Sequence, residues 1–111
     1  MLRIYPVILR LVQEVARVAP AIAAHDADLA RQLRRALASV PLNTGEGMYS
    51  QGAIRTSRYH TAAGSAREVL SCLEVAVAFG YLKEVPPEVL ALLNRVIGTL
   101  VRLVKPACGA G

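Results

Sequence analysis

The stretch Arg34-Arg-Ala-Leu-Ala-Ser-Val-Pro-Leu-Asn-Thr-Gly-Glu-Gly47 decides how the chain is read, because it sets a proline, an asparagine and a glutamate on a helix that otherwise reads as core. Leu29, Leu33, Ala36 and Val40 keep the alternating spacing of one helical face. Carried past Pro41, the same register reaches Asn43 and then Gly47, so the seam turns polar at its far end. Pro41 offers no amide to the Leu37 carbonyl and disfavours α geometry at Val40, which predicts a helix that kinks or stops there. Local propensity overridden in this way marks a special position without naming its chemistry.

Outward from that segment, periodicity gives four helices. The first runs from about Pro6 to Ala19 with Ile4, Ile8, Leu11, Val15 and Val18 as its seam, and Pro20 ends it. The second starts at the cap candidates Asp26 to Asp28 and runs through Pro41 towards Gly47, after which Gly45 to Gly52 turns the chain. A third, from about Ile54 to Phe79, carries Ala62, Ala66, Val69, Leu73 and Ala76 on one seam and stops at Gly80. Gly64 inside it costs roughly 1 kcal/mol relative to alanine, which a close helix crossing would offset. The fourth runs from Pro86 to about Val104 with Val89, Leu93, Val96, Leu100 and Leu103 as its seam, and Lys105-Pro106 stops it. No strand alternation competes. The expected fold is all-α: an antiparallel up-and-down four-helix bundle, helix two kinked near Pro41, with one domain over residues 1–106 and a flexible C-terminal tail over 107–111.

Composition adds an argument about assembly. Of the 111 residues, 54% are Ala, Val, Ile, Leu, Met, Phe, Tyr or Cys; soluble domains carry roughly 45–50% apolar residues even with glycine counted. A single domain of this length cannot hide that excess alone. Leu70, Val75, Val77 and Phe79, and Leu90, Leu92, Ile97, Val101 and Val104, leave the core seams of helices three and four and offer a second face to a partner. The competing reading is scattered exposed aliphatics. No uncharged stretch reaches the roughly 18 apolar residues of a membrane span, and Arg3, Arg10 and Glu14 break any signal-peptide core; a cytoplasmic location is expected. Cys72 and Cys108 form no C-x-x-C pair, and His25 and His60 lie in no metal-ligand spacing, so no metal or cofactor is expected.

Charge is concentrated. Between Arg31 and Arg67 lie six arginines, Arg31, Arg34, Arg35, Arg55, Arg58 and Arg67, against Glu46 alone, so that segment carries the whole net charge of +5. Guanidinium groups fork onto phosphate oxygens and stack on bases, so an arginine patch beside Tyr49 and Tyr59 suits a nucleic-acid backbone. A solvated, salt-bridged helix face is the alternative.

Several ordered blocks carry a resemblance: Arg34-Arg35-Ala36, Ser39-Val40-Pro41, Asn43 and Glu46-Gly47, then Ala63-Gly64-Ser65 with Glu68, then Gly80-Tyr81-Leu82. Over nearly its whole length the chain resembles the bacterial four-helix-bundle family of ribosomal RNA intervening-sequence proteins. Thr44-Gly45 stands where that family more often has Ile-Ala. The resemblance implies a non-catalytic all-α bundle assembled as a homopentamer. A related branch, the accessory proteins of diversity-generating retroelements, is similar in fold and works as a basic pentameric ring binding a reverse transcriptase and nucleic acid; the chain is not assigned to it. Implied partners are further copies of the chain and RNA or a nucleic-acid enzyme, with no membrane and no small-molecule substrate.

The motif residues themselves have a structural expectation. Ser39, Asn43, Glu46, Ser65 and Glu68, with Arg35 or Arg67, would form a partly buried polar network across helices two and three, because a buried carboxylate needs partners. Its rival is paired-carboxylate catalysis by Glu46 and Glu68, for which the sequence supplies no nucleophile setting, catalytic histidine or metal motif. A purely structural or protein-interaction bundle with no nucleic-acid role is the alternative to RNA binding.

Overall fold

A computed structural model describes residues 2–104. They form four α-helices, α1 (Ile4–Ala23), α2 (Ala27–Met48), α3 (Gly52–Ala78) and α4 (Pro87–Val104), with no strand among the described residues. The stop at Lys105-Pro106 and the tail over 107–111 lie outside the described residues. The helices pack in ring order, α1 on α2, α2 on α3, α3 on α4 and α4 back on α1, with α2 against α3 the most extensive pairing. That is the arrangement of a four-helix bundle. Ile8, Leu11, Val15 and Ile22 of α1, Leu33 and Val40 of α2, Val69 and Leu73 of α3, and Leu93, Val96 and Leu100 of α4 meet in one dry core.

Two prolines lie inside helices. α1 continues through Pro20 to Ala23, so Pro20 does not end it. Ala16, whose carbonyl loses its amide partner there, and Pro20 itself are both exposed, where water can replace the missing bond. Meanwhile the Ala24 amide donates to the Pro20 carbonyl at 3.0 Å, so the last turn closes around the ring. α1 consequently buries Ala19 and Ile22, and Val18 is only half-buried. Pro41 likewise sits within α2, which runs on to Met48.

The buried line of α2 is Ala30, Leu33, Leu37, Val40, Thr44 and Gly47, with Ala36 beside it. Thr44, not Asn43, therefore occupies the core seam beyond Pro41, at 0% exposure. Its hydroxyl donates to the Val40 carbonyl at 2.7 Å, which lets a polar side chain sit in the core without an orphaned group. Asn43 is displaced to the half-buried flank facing α3.

Short connections hold the helices together. Asp26 caps α2, its Oδ1 accepting from the Leu29 amide at 2.9 Å. At the end of α3, Gly80 takes φ +82°, the Tyr81 amide donates to the Ala76 carbonyl at 2.8 Å and the Gly80 amide to Val77 at 2.9 Å. This pair of bonds is a Schellman ending, and the left-handed backbone explains the glycine. Gly64 of α3 is exposed and a methyl built on it would meet nothing within 4 Å, so no helix of this chain crosses there. Close crossing within the chain belongs to Gly47 instead, where an added methyl would fall 2.4 Å from Cε1 of Tyr59.

Candidate nucleic-acid interface and polar network

Arg31, Arg34 and Arg35 are exposed in the N-terminal half of α2. Their spacing turns them from the α3 side to the α1 side. Arg31 and Arg35 line a groove shared with Asp28, Ser39, Ser65 and Glu68, and all three line a second, shallower depression with Ala23 and Ala27 towards α1. Arg31 is paired with Asp28 at 2.7 Å, both side chains largely in solvent. Arg34 and Arg35 make no ion pair among the described residues. They stand as unneutralised guanidinium groups, the form that exchanges water and counterions for phosphate most readily.

The remaining arginines are placed differently. Arg55 Nε donates to the Ser50 carbonyl at 2.8 Å and to the Gly47 carbonyl at 3.2 Å, tying down carbonyls at the end of α2. Arg58 reaches back from α3 to α2, bonding Asn43 Oδ1 at 3.3 Å and Glu46 Oε2 at 3.1 Å. Arg67 is exposed on α3 and does not line the α2–α3 groove. The six arginines are therefore not one patch. Tyr49 is 90% exposed beside them, whereas Tyr59 is 4% exposed, its ring packed against Gly47, and is closed to any base.

Ser65, Ser39, Asn43, Arg58 and Glu46 are joined in a chain across α2 and α3. The two serine hydroxyls lie 2.7 Å apart, and Asn43 Nδ2 donates to both the carbonyl and the hydroxyl of Ser39 at 3.0 Å. Arg58 completes the chain, a place the sequence had suggested for Arg35 or Arg67. Glu68 stands outside it, exposed on the groove wall. Ser39 meets Ser65, whereas Asn43 and Gly47, further along α2, meet Arg58 and Tyr59 in the first third of α3, which is why Arg58 and not a later arginine reaches Asn43. Nearby, burial and then the Glu68 carboxylate push the Cys72 thiol above its ordinary range, which keeps it protonated and unreactive.

A feature that sequence reasoning did not find lies at the opposite end of α2. Tyr81 stacks on His25 with ring centroids 5.1 Å apart and planes within 4°, and on Phe79 at 5.4 Å and 14°. The Tyr81 hydroxyl donates to Oδ2 of the cap residue Asp26 at 3.4 Å. Partial desolvation, then the Asp26 charge and this hydrogen bond, raise the Tyr81 phenol above its ordinary value. The one signal in sequence was Gly80-Tyr81 placed immediately after a helix. No group of three or more His, Cys, Asp and Glu side chains placed to hold a metal occurs among the described residues, and no helix there is long and apolar enough to cross a membrane.

A family model described as 23S rRNA-intervening sequence protein matches residues 1–102. No match to the chain is found among curated proteins or solved structures.

Proposed function

The chain belongs to the 23S rRNA-intervening sequence protein family, and from that premise we propose that it is a non-enzymatic cytoplasmic homo-oligomer, pentameric as the resemblance implies, that binds RNA or a ribonucleoprotein through its arginine-bearing surface. What supports binding is one observation: Arg34 and Arg35 are exposed without a carboxylate partner, beside Arg31, in a chain whose remaining charge outside Arg31 to Arg67 balances. Self-association is supported by the aliphatic side chains left in water, Leu42, Ile54, Val75 and Leu90 among them. The second reading, a protein-interaction bundle, is favoured by Arg55 and Arg58, which are engaged by their own chain.

Light scattering combined with a salt-titrated RNA-binding assay separates the two. The proposal expects a mass of several chains and an RNA affinity that falls steeply with salt, log K dropping by about 0.7 per decade of salt for each phosphate contacted on a single strand. Binding should weaken on Arg34→Gln and Arg35→Gln with the fold unchanged. A monomer at micromolar concentration, or an affinity indifferent to salt, defeats it.

A further inference from the structure

Of the ring stack at the N-terminal end of α2, Tyr81 packs against the edge of the core, whereas His25 and Phe79 are exposed. Phe79 is 65% exposed, although a phenylalanine at a helix end could have turned inward, and it is held in plane by Tyr81, which is fixed by His25 and by its bond to Asp26. A ring held with its face in water is a preorganised surface for another flat ring, since neither partner loses much freedom on contact. Its surroundings carry the right charge. His25 and Asp26 lead directly into α2, so Arg31, Arg34 and Arg35 follow about 8–14 Å further along the helix axis at 1.5 Å per residue. Of the nearby carboxylates, Asp26 is engaged by Tyr81 and the Leu29 amide, and Asp28 by Arg31; Lys83 and Glu84 on the following turn offset one another, which leaves Glu68, on the wall of the groove that Arg31 and Arg35 line, against the two guanidinium groups of Arg34 and Arg35.

We infer that the stack of His25, Tyr81 and Phe79 is a nucleobase platform, and that the nucleic acid this chain takes is single-stranded RNA, one unpaired base extending the stack on Phe79 while Arg31, Arg34 and Arg35 hold the flanking phosphates. The inference rests on the RNA-binding reading and adds the class of RNA. A base in a duplex has both faces covered by its neighbours, so only an unpaired one can lie on the ring. Stacking tolerates any base, so affinity should depend weakly on sequence.

The test is fluorescence anisotropy on the full chain with a labelled oligouridylate of about ten nucleotides and an RNA duplex of similar length, across a salt series. The expected result is tighter binding of the single strand, and a loss of about 5- to 150-fold for both Phe79→Ala and Phe79→Leu, the span that base–aromatic stacking covers. Phe79→Trp should keep the affinity, and the salt slope should be unchanged in all three. Arg34→Gln with Arg35→Gln should instead reduce the slope by about 1.4. Phe79 is exposed, so its variants should fold and keep the parent mass by light scattering. Retention of affinity by Phe79→Leu, equal binding of the duplex, or a change in mass that makes the ring an interface between copies would each overturn the platform while leaving RNA binding intact. Failure of the parent chain to bind either RNA at low salt would sink the underlying reading as well.

Discussion

Replacing glycine with alanine at two positions, Gly64 in the middle of α3 and Gly47 in the last turn of α2, should move stability in opposite directions because of what the new methyl meets. Both lie in helices without positive φ, so each gains up to about 1 kcal/mol of helix propensity. At Gly64 nothing lies within 4 Å, and that gain should appear in full. At Gly47 the methyl would fall 2.4 Å from Cε1, 2.7 Å from Cδ1 and 3.1 Å from Cζ of Tyr59, a ring 4% exposed with no free space to retreat into. Carbon atoms need roughly 3.5–4.0 Å, so the ring or the helix must give way by about an ångström. Overpacking costs about 1–3 kcal/mol, and so short an approach to a buried ring belongs to the upper part of that range, about 2–3 kcal/mol, which leaves Gly47→Ala less stable by about 1–2 kcal/mol after the propensity gain. For a chain of this size 1 kcal/mol shifts Tm by about 4 °C or more, so Gly64→Ala should rise by about 4 °C and Gly47→Ala fall by about 4–8 °C. Thermal unfolding followed by circular dichroism, at one fixed protein concentration so that association does not shift the midpoint, reads both. A Gly47→Ala protein as stable as the parent would refute the argument that Tyr59 excludes a side chain there.

Two further outcomes follow from the polar contacts. Asn43→Ala removes bonds to Ser39 and Arg58 on a half-buried flank and should cost about 1–2 kcal/mol, whereas Glu46→Gln should cost under about 0.5 kcal/mol because its ion pair with Arg58 is 59% and 46% exposed. Urea titration that ranked them the other way would show that Glu46 holds the hairpin. At the cap, Asp26→Asn keeps an α2 cap but removes the charge beside Tyr81, so the phenol should titrate closer to its ordinary value, read as the difference spectrum against Tyr81→Phe. Since the folded-state value is raised, the neutral phenol's contribution is complete below its ordinary value near 10 and is lost as pH rises beyond it. The parent should therefore lose more stability in strong alkali than Asp26→Asn, the loss beginning at the same pH in both. An unchanged Tyr81 titration would remove Asp26 as a cause.

How far the chain could be read before its fold was known depended on the range of each interaction. The seams Ala62, Ala66, Val69, Leu73, Ala76 and Val89, Leu93, Val96, Leu100 were legible because burial recurs with the helix period, although Leu103, read onto the second of them, is exposed in the last turn of α4. Pro20 was misleading because a proline removes one bond but does not say whether the bereft carbonyl faces water. Asn43 and Thr44 are neighbours on one stripe, and choosing between them needs the rotation of α2 against α3, which periodicity alone leaves open to one residue. Tyr59 near arginines resembled a base-stacking residue, yet the clue to its burial was Gly47, twelve positions earlier and across a turn. Arg58 required the hairpin register, set by the three residues Tyr49 to Gln51. The ring stack joins positions 25 and 81, a pairing no local pattern encodes.

The same register shows why the arginines should not act as a single surface. At the hairpin end, Arg55 and Arg58 donate to Gly47, Ser50, Asn43 and Glu46, so a phosphate arriving there must compete with bonds that close the turn. At the other end, Arg34 and Arg35 give up only water. Neutralising the first pair perturbs stability and any binding together, whereas neutralising the second alters the electrostatic contribution alone. A charge excess concentrated in one stretch of the sequence thus becomes unevenly available in space, and the freely available part lies in the first half of α2, the helix whose cap residue Asp26 is bonded by Tyr81.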